Sequence, residues 1–279
     1  MANYTVADIQ TLRDRTGAGM MDVKKALDEA DGDLDKAVEI LRVKGLKGVT
    51  KREGRSASEG LVAAEVTDGA SGQVGTMIEI NSETDFVAKS PKFIDLATAV
   101  LAAVVAADAE TVDAALDADA GGKSVRVLID ETAGVLGEKI VLRRVARIEA
   151  PNVAVYLHKT NRDLPAQVGV MVGSDDAAKD IARDVAMHIA AYSPFYLTRE
   201  HVPADAIATE RRVAEEVSRA EGKPEAALPK IIEGKMNGYF KENVLVDQAF
   251  AKDPKLTVGA VVDQTGGAVT AFARFRVGA

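Results

Sequence analysis

The sequence predicts an α+β fold: an N-terminal three-helix bundle, a duplicated strand-strand-helix core with antiparallel sheets, and a protruding antiparallel helical hairpin. Three observations carry this expectation. Apolar residues recur at helical spacing through residues 5–45, in runs set off by capping residues and glycines. From Leu61 the period drops to that of strands, and Gln73-Val-Gly-Thr-Met-Ile returns as Gln167-Val-Gly-Val-Met-Val, 94 positions later (167 minus 73). Between Asp205 and Gln248 a thin apolar stripe runs along segments dense in Glu, Arg and Lys.

In chain order, Thr5 can cap a helix over Val6 to Arg15, with Asp8 at the capping-box position and Gly17 as the stop. Met20 to Ala30 is apolar at 20, 23, 26, 27 and 30 and ends at Gly32. Asp33 then caps Leu34 to Lys44, where Leu34, Ala37, Val38 and Leu41 form one stripe before Gly45. A bundle of this size is marginal alone, which leaves apolar surface for a partner. Lys44 to Gly60, with glycines at 45, 48, 54 and 60 and basic residues at 44, 47, 51, 52 and 55, reads as a solvated linker; without interleaved aromatics or a helical stripe it does not read as an RNA-binding patch. Residues 1–54 therefore form one division.

The next division, 55–150, starts with a hairpin of Leu61 to Val66 and Gln73 to Ile80 around Thr67-Asp-Gly-Ala-Ser-Gly72. A helix from about Pro91 to Ala107, an amphipathic segment from Ser124 to Leu136 and an alternating strand from Lys139 to Glu149 close it, with Arg143 and Arg144 at exposed strand positions. The second copy, 151–200 with 249–279, has strands at Val153 to His158 and Gln167 to Val172 and a helix from Asp175 to Ala191. Val258 to Val262 reads as a short helix, and Ala268 to Val277 as a strand returning to the second sheet. Residues 201–248 are the hairpin: Ile207, Val213, Val217 and Ala220 face Ile231, Ile232, Met236, Tyr239 and Phe240 across the Gly222-Lys-Pro224 turn. A narrow stripe buries one face of each arm, so the arms pair and project, either as a structural insert or as a handle for a partner.

The connection Asn81 to Lys89 holds the sharpest functional signal. Asn81, Ser82 and Asp85 suit a turn, but Phe86 places a large apolar ring in a polar connection. The ring either folds onto its own core or waits for another protein's pocket. The second copy turns into its helix through Gly173-Ser-Asp-Asp176 alone, so the fold does not need the longer loop, which weakens the self-packing explanation.

Composition excludes several functions. With 279 residues, 47% hydrophobic, the chain can bury a sizeable core, and its longest apolar run, Ala97 to Ala107, is too short to span a bilayer. The N-terminus lacks the pattern of a secretory signal, so a cytoplasmic location is expected. There is no cysteine, and His158, His188 and His201 have no metal-ligand spacing, so neither metal nor cofactor is expected. No nucleophile-base pair or phosphate loop is present, and the chain does not read as an enzyme. A net charge of -8, no Trp and 4% aromatic residues argue against bulk nucleic-acid binding.

Several motifs together resemble the elongation factor Ts family of nucleotide-exchange factors. They are Arg15-Thr-Gly-Ala-Gly-Met-Met-Asp22, Lys24-Lys-Ala-Leu27, Thr84-Asp-Phe-Val-Ala88, Ile181 to Ala190, Gly222-Lys-Pro224 and Arg274-Phe-Arg-Val-Gly278, and they span nearly the whole chain. The resemblance implies a ubiquitin-associated-like N-terminal domain that docks on the GTPase elongation factor Tu through Arg15, Thr16, Gly17, Ala18, Gly19, Met20 and Met21. It implies that Thr84, Asp85, Phe86, Val87 and Ala88 displace GDP, and that Met187 and His188 touch another domain of the same partner. Read from the residues alone, His188 fits equally well as a hydrogen-bonded core histidine. Val23 stands where the family often has Cys, a change between two small buried residues. The partner implied is this GTPase, with no direct nucleic acid and no membrane. A second reading makes the chain an adaptor that uses only residues 1–45.

Overall fold

The computed structural model describes residues 3–279; Met1 and Ala2, and the side chains of Leu46, Lys47 and Thr50, lie outside the description, and with them part of the N-terminal and linker expectations. Helices α1 (Val6–Thr16), α2 (Met20–Glu29) and α3 (Leu34–Arg52) are followed by strands β1 (Glu59–Gly69) and β2 (Gly72–Ser82). Next come α4 (Asp85–Ala88), α5 (Pro91–Ala106), α6 (Val112–Asp117), α7 (Val125–Leu136) and β3 (Val141–Ala150). The second half has β4 (Asn152–His158), β5 (Val168–Ser174), α8 (Lys179–Tyr192), α9 (Ala204–Ala220) and α10 (Leu228–Asn243). It closes with β6 (Ala249–Phe250), β7 (Asp253–Thr257), α11 (Val258–Asp263) and β8 (Val269–Arg276). Mixed helix and antiparallel sheet make the fold α+β, as the sequence predicts.

The N-terminal bundle is capped as its sequence requires. Asp8 N–H donates to Thr5 Oγ1 (3.2 Å) and Thr5 N–H to Asp8 Oδ2 (2.7 Å), which completes the capping box and holds the Asp8 carboxyl below its ordinary pKa. Gly17 ends α1 at φ 70, a left-handed cap. Leu12, Val23, Ala26, Leu27, Ala37 and Leu41 fill the centre.

The linker expectation fails for residues 45–52, because α3 continues through Gly45 and Gly48 to Arg52. Gly45 lies across Gly134 of α7, and a Cβ built on either would sit 3.0 to 3.1 Å from the other's backbone. Glycine costs helix stability in isolation; here it lets two helix backbones meet. Arg52 Nη2 adds a bond to Ala133 O at 3.1 Å, and Arg42 pairs with Glu131. Gly134→Ala should therefore lower stability, since the displaced helices cost about 1 to 3 kcal/mol against a propensity gain of about 1 kcal/mol. A higher urea midpoint for this variant would show that the crossing is loose.

The two three-stranded sheets have orders β1-β2-β3 and β4-β5-β8, all antiparallel, so the repeated motif occupies the central strand of each. The first sheet packs one face on α5 and α7 through Ile78, Ile80, Phe93, Val100, Val104 and Ile129. The second packs on α8 through Val170, Val172, Val185 and Ile189. The other faces meet at Val62, Met77, Ile148, Val153, Met171 and Phe275. A Cβ on Gly75 would lie 2.9 Å from Met171 Sδ, and one on Gly169 would lie 2.9 Å from Met77 Sδ. Residues i and i+2 share a face of a strand, so each copy's Gly-x-Met supplies a notch and a plug for the other.

Three details differ from the sequence reading. Helix α6 and the β6–β7 pair are too short to carry a periodic signal. In the hairpin, Val213 and Val217 are exposed, and Ala214 and Ser218 face Leu228, Ile232 and Met236 of α10. Bulky α10 side chains need small residues opposite, and Ser218 Oγ is satisfied by donating to Ala214 O at 2.6 Å. Arg144 is half-buried rather than exposed, because its Nε reaches the fully buried Glu79 carboxylate at 2.5 Å.

Candidate functional site

Strand β2 ends at Ser82, and the chain then makes the single helical turn α4, capped by Thr84 Oγ1, which accepts from Val87 N–H at 3.4 Å. This turn sorts the five expected residues into two groups. Ala88 is fully buried and Val87, partly buried, packs on the first core, so their side chains hold the turn down. Phe86 points outward with 73% of its surface exposed, so the ring does not pack into its own core. Lys89 Nζ lies 4.6 Å from the Phe86 ring centroid and 3.4 Å from Asp85 Oδ2, so the outward face presents a ring, a carboxylate and an ammonium together.

The base of this turn is latched by two carboxylates. Gly137 ends α7 at φ 76 and directs Glu138 to the turn, where its Oε2 accepts from the N–H groups of Glu83 (3.1 Å) and Thr84 (3.0 Å). Thr84 Oγ1 donates to Glu138 Oε1 at 2.6 Å. In return Glu83 Oε1 accepts from Lys139 N–H at 2.6 Å, and Glu83 pairs with Arg55 at 3.2 Å. Charge-assisted bonds to backbone donors are stronger than neutral ones, so the ring is carried on a fixed platform. Sequence reasoning missed Glu138, which stands 54 positions from Thr84 with no motif to link them.

The N-terminal candidates form the turn between α1 and α2. Met20 and Met21 are 59% and 67% exposed and lie outward with Val6. Arg15 and Gly17 are also exposed, whereas Thr16 is partly buried. Arg15 pairs with Asp35 at 3.2 Å, and Arg15, Thr16 and Ala18 line a crevice of about 540 Å³ against α7. Gly17 has left-handed φ, and Val135 Cγ1 would lie 2.8 Å from a Cβ there, so no other residue fits without displacement. Gly19 caps the start of α2 through its carbonyl, which accepts from Asp22 and Val23 N–H groups at 3.0 Å. Thr16 and Arg15 also border Lys92 and Asp95 in the first turns of α5, directly after α4. The fold thus brings the first two candidate segments to either side of the start of α5.

The third candidate divides in two. Met187 is partly exposed on α8, but His188 is fully buried and stacks on Tyr192 with centroids 4.6 Å apart. Ala251 N–H donates to His188 Nδ1 at 3.2 Å, which leaves the proton on Nε2, donated to Gln248 Oε1 at 2.9 Å. In the free chain His188 therefore takes the hydrogen-bonded core place that the sequence also allowed: both ring nitrogens serve the join between α8 and β6. Burial lowers its pKa, with the Gln248 bond opposing. The unfolded chain binds the proton first, so stability is fully present above the unfolded value of about 6.5 and falls as pH drops below it toward the lowered folded value. His188→Gln should flatten that part of the profile in a urea series; an unchanged slope would place the acid sensitivity elsewhere.

Among the described residues no group of three or more His, Asp or Glu side chains is placed to hold a metal ion, and no helix is long and apolar enough to cross a membrane. A family model described as Elongation factor TS matches residues 83–279, which include the latched turn, β3 and the whole of the second sheet. The chain belongs to the elongation factor Ts family. The elongation factor Ts of Beutenbergia cavernae is 66% identical over 281 aligned positions, and that of Micrococcus luteus 63% over 281, each alignment covering 100% of both chains. That of Renibacterium salmoninarum is 61% identical over 282, again with full coverage. The chain is thus a translation elongation factor of the elongation factor Ts type, and the bundle ahead of residue 83 shares the full-length similarity.

Proposed function

We propose that this protein binds GDP-bound elongation factor Tu and promotes GDP release, which allows GTP to rebind during elongation. The observation that carries this reading is the exposed Phe86 on a turn whose base is fixed by Glu138. A large ring held in water is stabilised by burial in a partner, and a rigid platform lets that burial do mechanical work on the partner. In this reading Phe86 and Asp85 enter between elements of the GTPase's nucleotide-binding domain and disturb its phosphate and magnesium contacts. Binding shifts an equilibrium only through differential affinity, so the nucleotide-free GTPase must bind more tightly than the GDP-bound one. GTP in excess then refills the site and releases the factor. No covalent step is involved, and both proteins meet in the cytoplasm.

The bundle at 1–54 acts as the docking division through Met20 and Met21, and the unit of 151–200 with 249–279 adds a contact through Met187, with the hairpin at 201–248 as a second handle. Met20→Ser with Met21→Ser should weaken binding to the GTPase about 10- to 100-fold without changing the melting temperature, because both side chains are already in water in the free protein. Unchanged affinity in isothermal titration would remove the docking role. The function itself is tested with purified elongation factor Tu loaded with a fluorescent GDP analogue. Adding this protein and excess GTP should accelerate loss of the analogue, whereas the spontaneous rate at saturating protein would refute exchange activity.

A further inference from the structure

Behind β8, where the chain leaves α8, lies a cleft of about 820 Å³ bordered by Arg144, Arg274, Arg276, His201, Phe195 and Phe272. Three guanidinium groups gather there in a chain whose net charge is -8. Glu79 neutralises one of them, Arg144. Among the described residues no carboxylate lies within ion-pair distance of Arg274 or Arg276, and no ion pair joins Ala279, which also borders the cleft, to either. Arg274 Nε is buried and donates to nothing, and its one other bond is a long 3.4 Å contact from Nη2 to Ala190 O. Burial, then the charges of Arg276 and Arg144, push its pKa down from the ordinary value.

The duplicated core supplies an internal comparison. Arg274 stands opposite Val170 on the central strand of the second sheet, and Arg147 stands opposite Thr76 on that of the first, which is the repeat offset of 94 (170 minus 76). Arg147 meets Asp108, Glu110 and Glu149 at 3.4, 3.7 and 3.4 Å. Both Nε atoms are buried without an acceptor, but the guanidinium charge at this strand position is paired with carboxylates in one copy and left without them in the other. A buried guanidinium donor without an acceptor, among like charges, is stabilised by any oxyanion that enters.

We infer that this cleft is an oxyanion-binding site in which Arg274 and Arg276 receive a carboxylate or phosphate group beside the 75% exposed ring of Phe195. The planar guanidinium fork matches either group. The negative charge of the rest of the chain selects a compact anion over an extended polyanion such as RNA. The site is built on β8, the segment after α8 and Arg144 of β3, shares no lining residue with the α4 turn, and does not depend on the proposed exchange activity.

The probes are inorganic phosphate and, in parallel, glutarate, each titrated into the full chain at constant ionic strength set with chloride, with the Arg Nε–H signals followed by NMR. A saturable shift of the Arg274 signal is expected from at least one probe, and which probe saturates distinguishes phosphate from carboxylate. Arg276→Gln, at an exposed position where folding is not at risk, should weaken that binding about fivefold or more, and Arg274→Lys should abolish the saturable component seen by calorimetry. Shifts that rise linearly with both anions, or saturable binding unchanged in both variants, would overturn the site.

Discussion

Replacing Phe86 by Ala is expected to slow factor-stimulated GDP release roughly 30- to 150-fold while leaving the melting temperature of the free protein unchanged. Full burial of a phenyl ring in a partner is worth about 2 to 3 kcal/mol, and each 1.36 kcal/mol is a factor of ten. The stability half of the expectation rests on geometry: the ring is 73% exposed, with the Lys89 ammonium 4.6 Å from its centroid. Asp85→Asn keeps the shape of the turn, removes the charge beside the ring and should have the smaller effect unless the carboxylate meets a buried donor in the complex. Stopped-flow release measured beside thermal unfolding separates the two contributions. A Phe86 variant that melts early yet exchanges normally per folded molecule would return the ring to this protein's own core.

The second large effect is expected at Glu138, which never reaches the partner in this account. Its carboxylate accepts from two backbone N–H groups and one hydroxyl, and Glu138→Ala leaves all three without that acceptor. Bonds to a charged group contribute about 1.5 to 3 kcal/mol each, less where water can replace the acceptor, so a stability loss of about 2 kcal/mol is expected. The telling observation is a different one. Amide hydrogen exchange at Glu83 and Thr84 should quicken while β2 stays protected, and stimulated GDP release should drop well beyond the loss of folded protein. Glu138→Gln, which retains an acceptor oxygen, should recover part of both. Full exchange activity in a Glu138→Ala protein with a loosened turn would mean that the ring needs no fixed platform.

How much of this was readable from the sequence depends on how local each cause is. Thr5 and Asp8 are three residues apart and Gly17 closes the same helix, so the first helix could be read with its caps. The repeat at 73 and 167 was legible as strings of letters, although the exchange of Gly75 and Gly169 against each other's methionines needed both sheets in place. Gly45 misled because glycine in a helix has two opposite meanings, a stop or a close crossing, and only the distant Gly134 decides between them. On α9 the stripe read through Val213 and Val217 lies one residue, about 100°, from the packed face, because the bulk of Leu228, Ile232 and Met236 takes the small Ala214 and Ser218 opposite it. At the site, the oddity of Phe86 was visible, but its latch was not, since Glu138 follows a different helix. His188 could not be placed without Ala251 and Gln248, which lie 63 and 60 positions away.

The central claim is that the protein and GDP oppose each other on elongation factor Tu, and linkage makes that opposition reciprocal: whatever factor the protein takes from GDP affinity, GDP must take from the protein's affinity. The most direct measurement is the Kd of this protein for elongation factor Tu by isothermal titration, once with the GTPase freed of nucleotide and once with it saturated with GDP and magnesium. Binding to the nucleotide-free form should be tighter, by the same ratio as the weakening of GDP binding when the protein is saturating. Equal affinities for the two forms would contradict it, because a ligand that binds both states alike shifts neither.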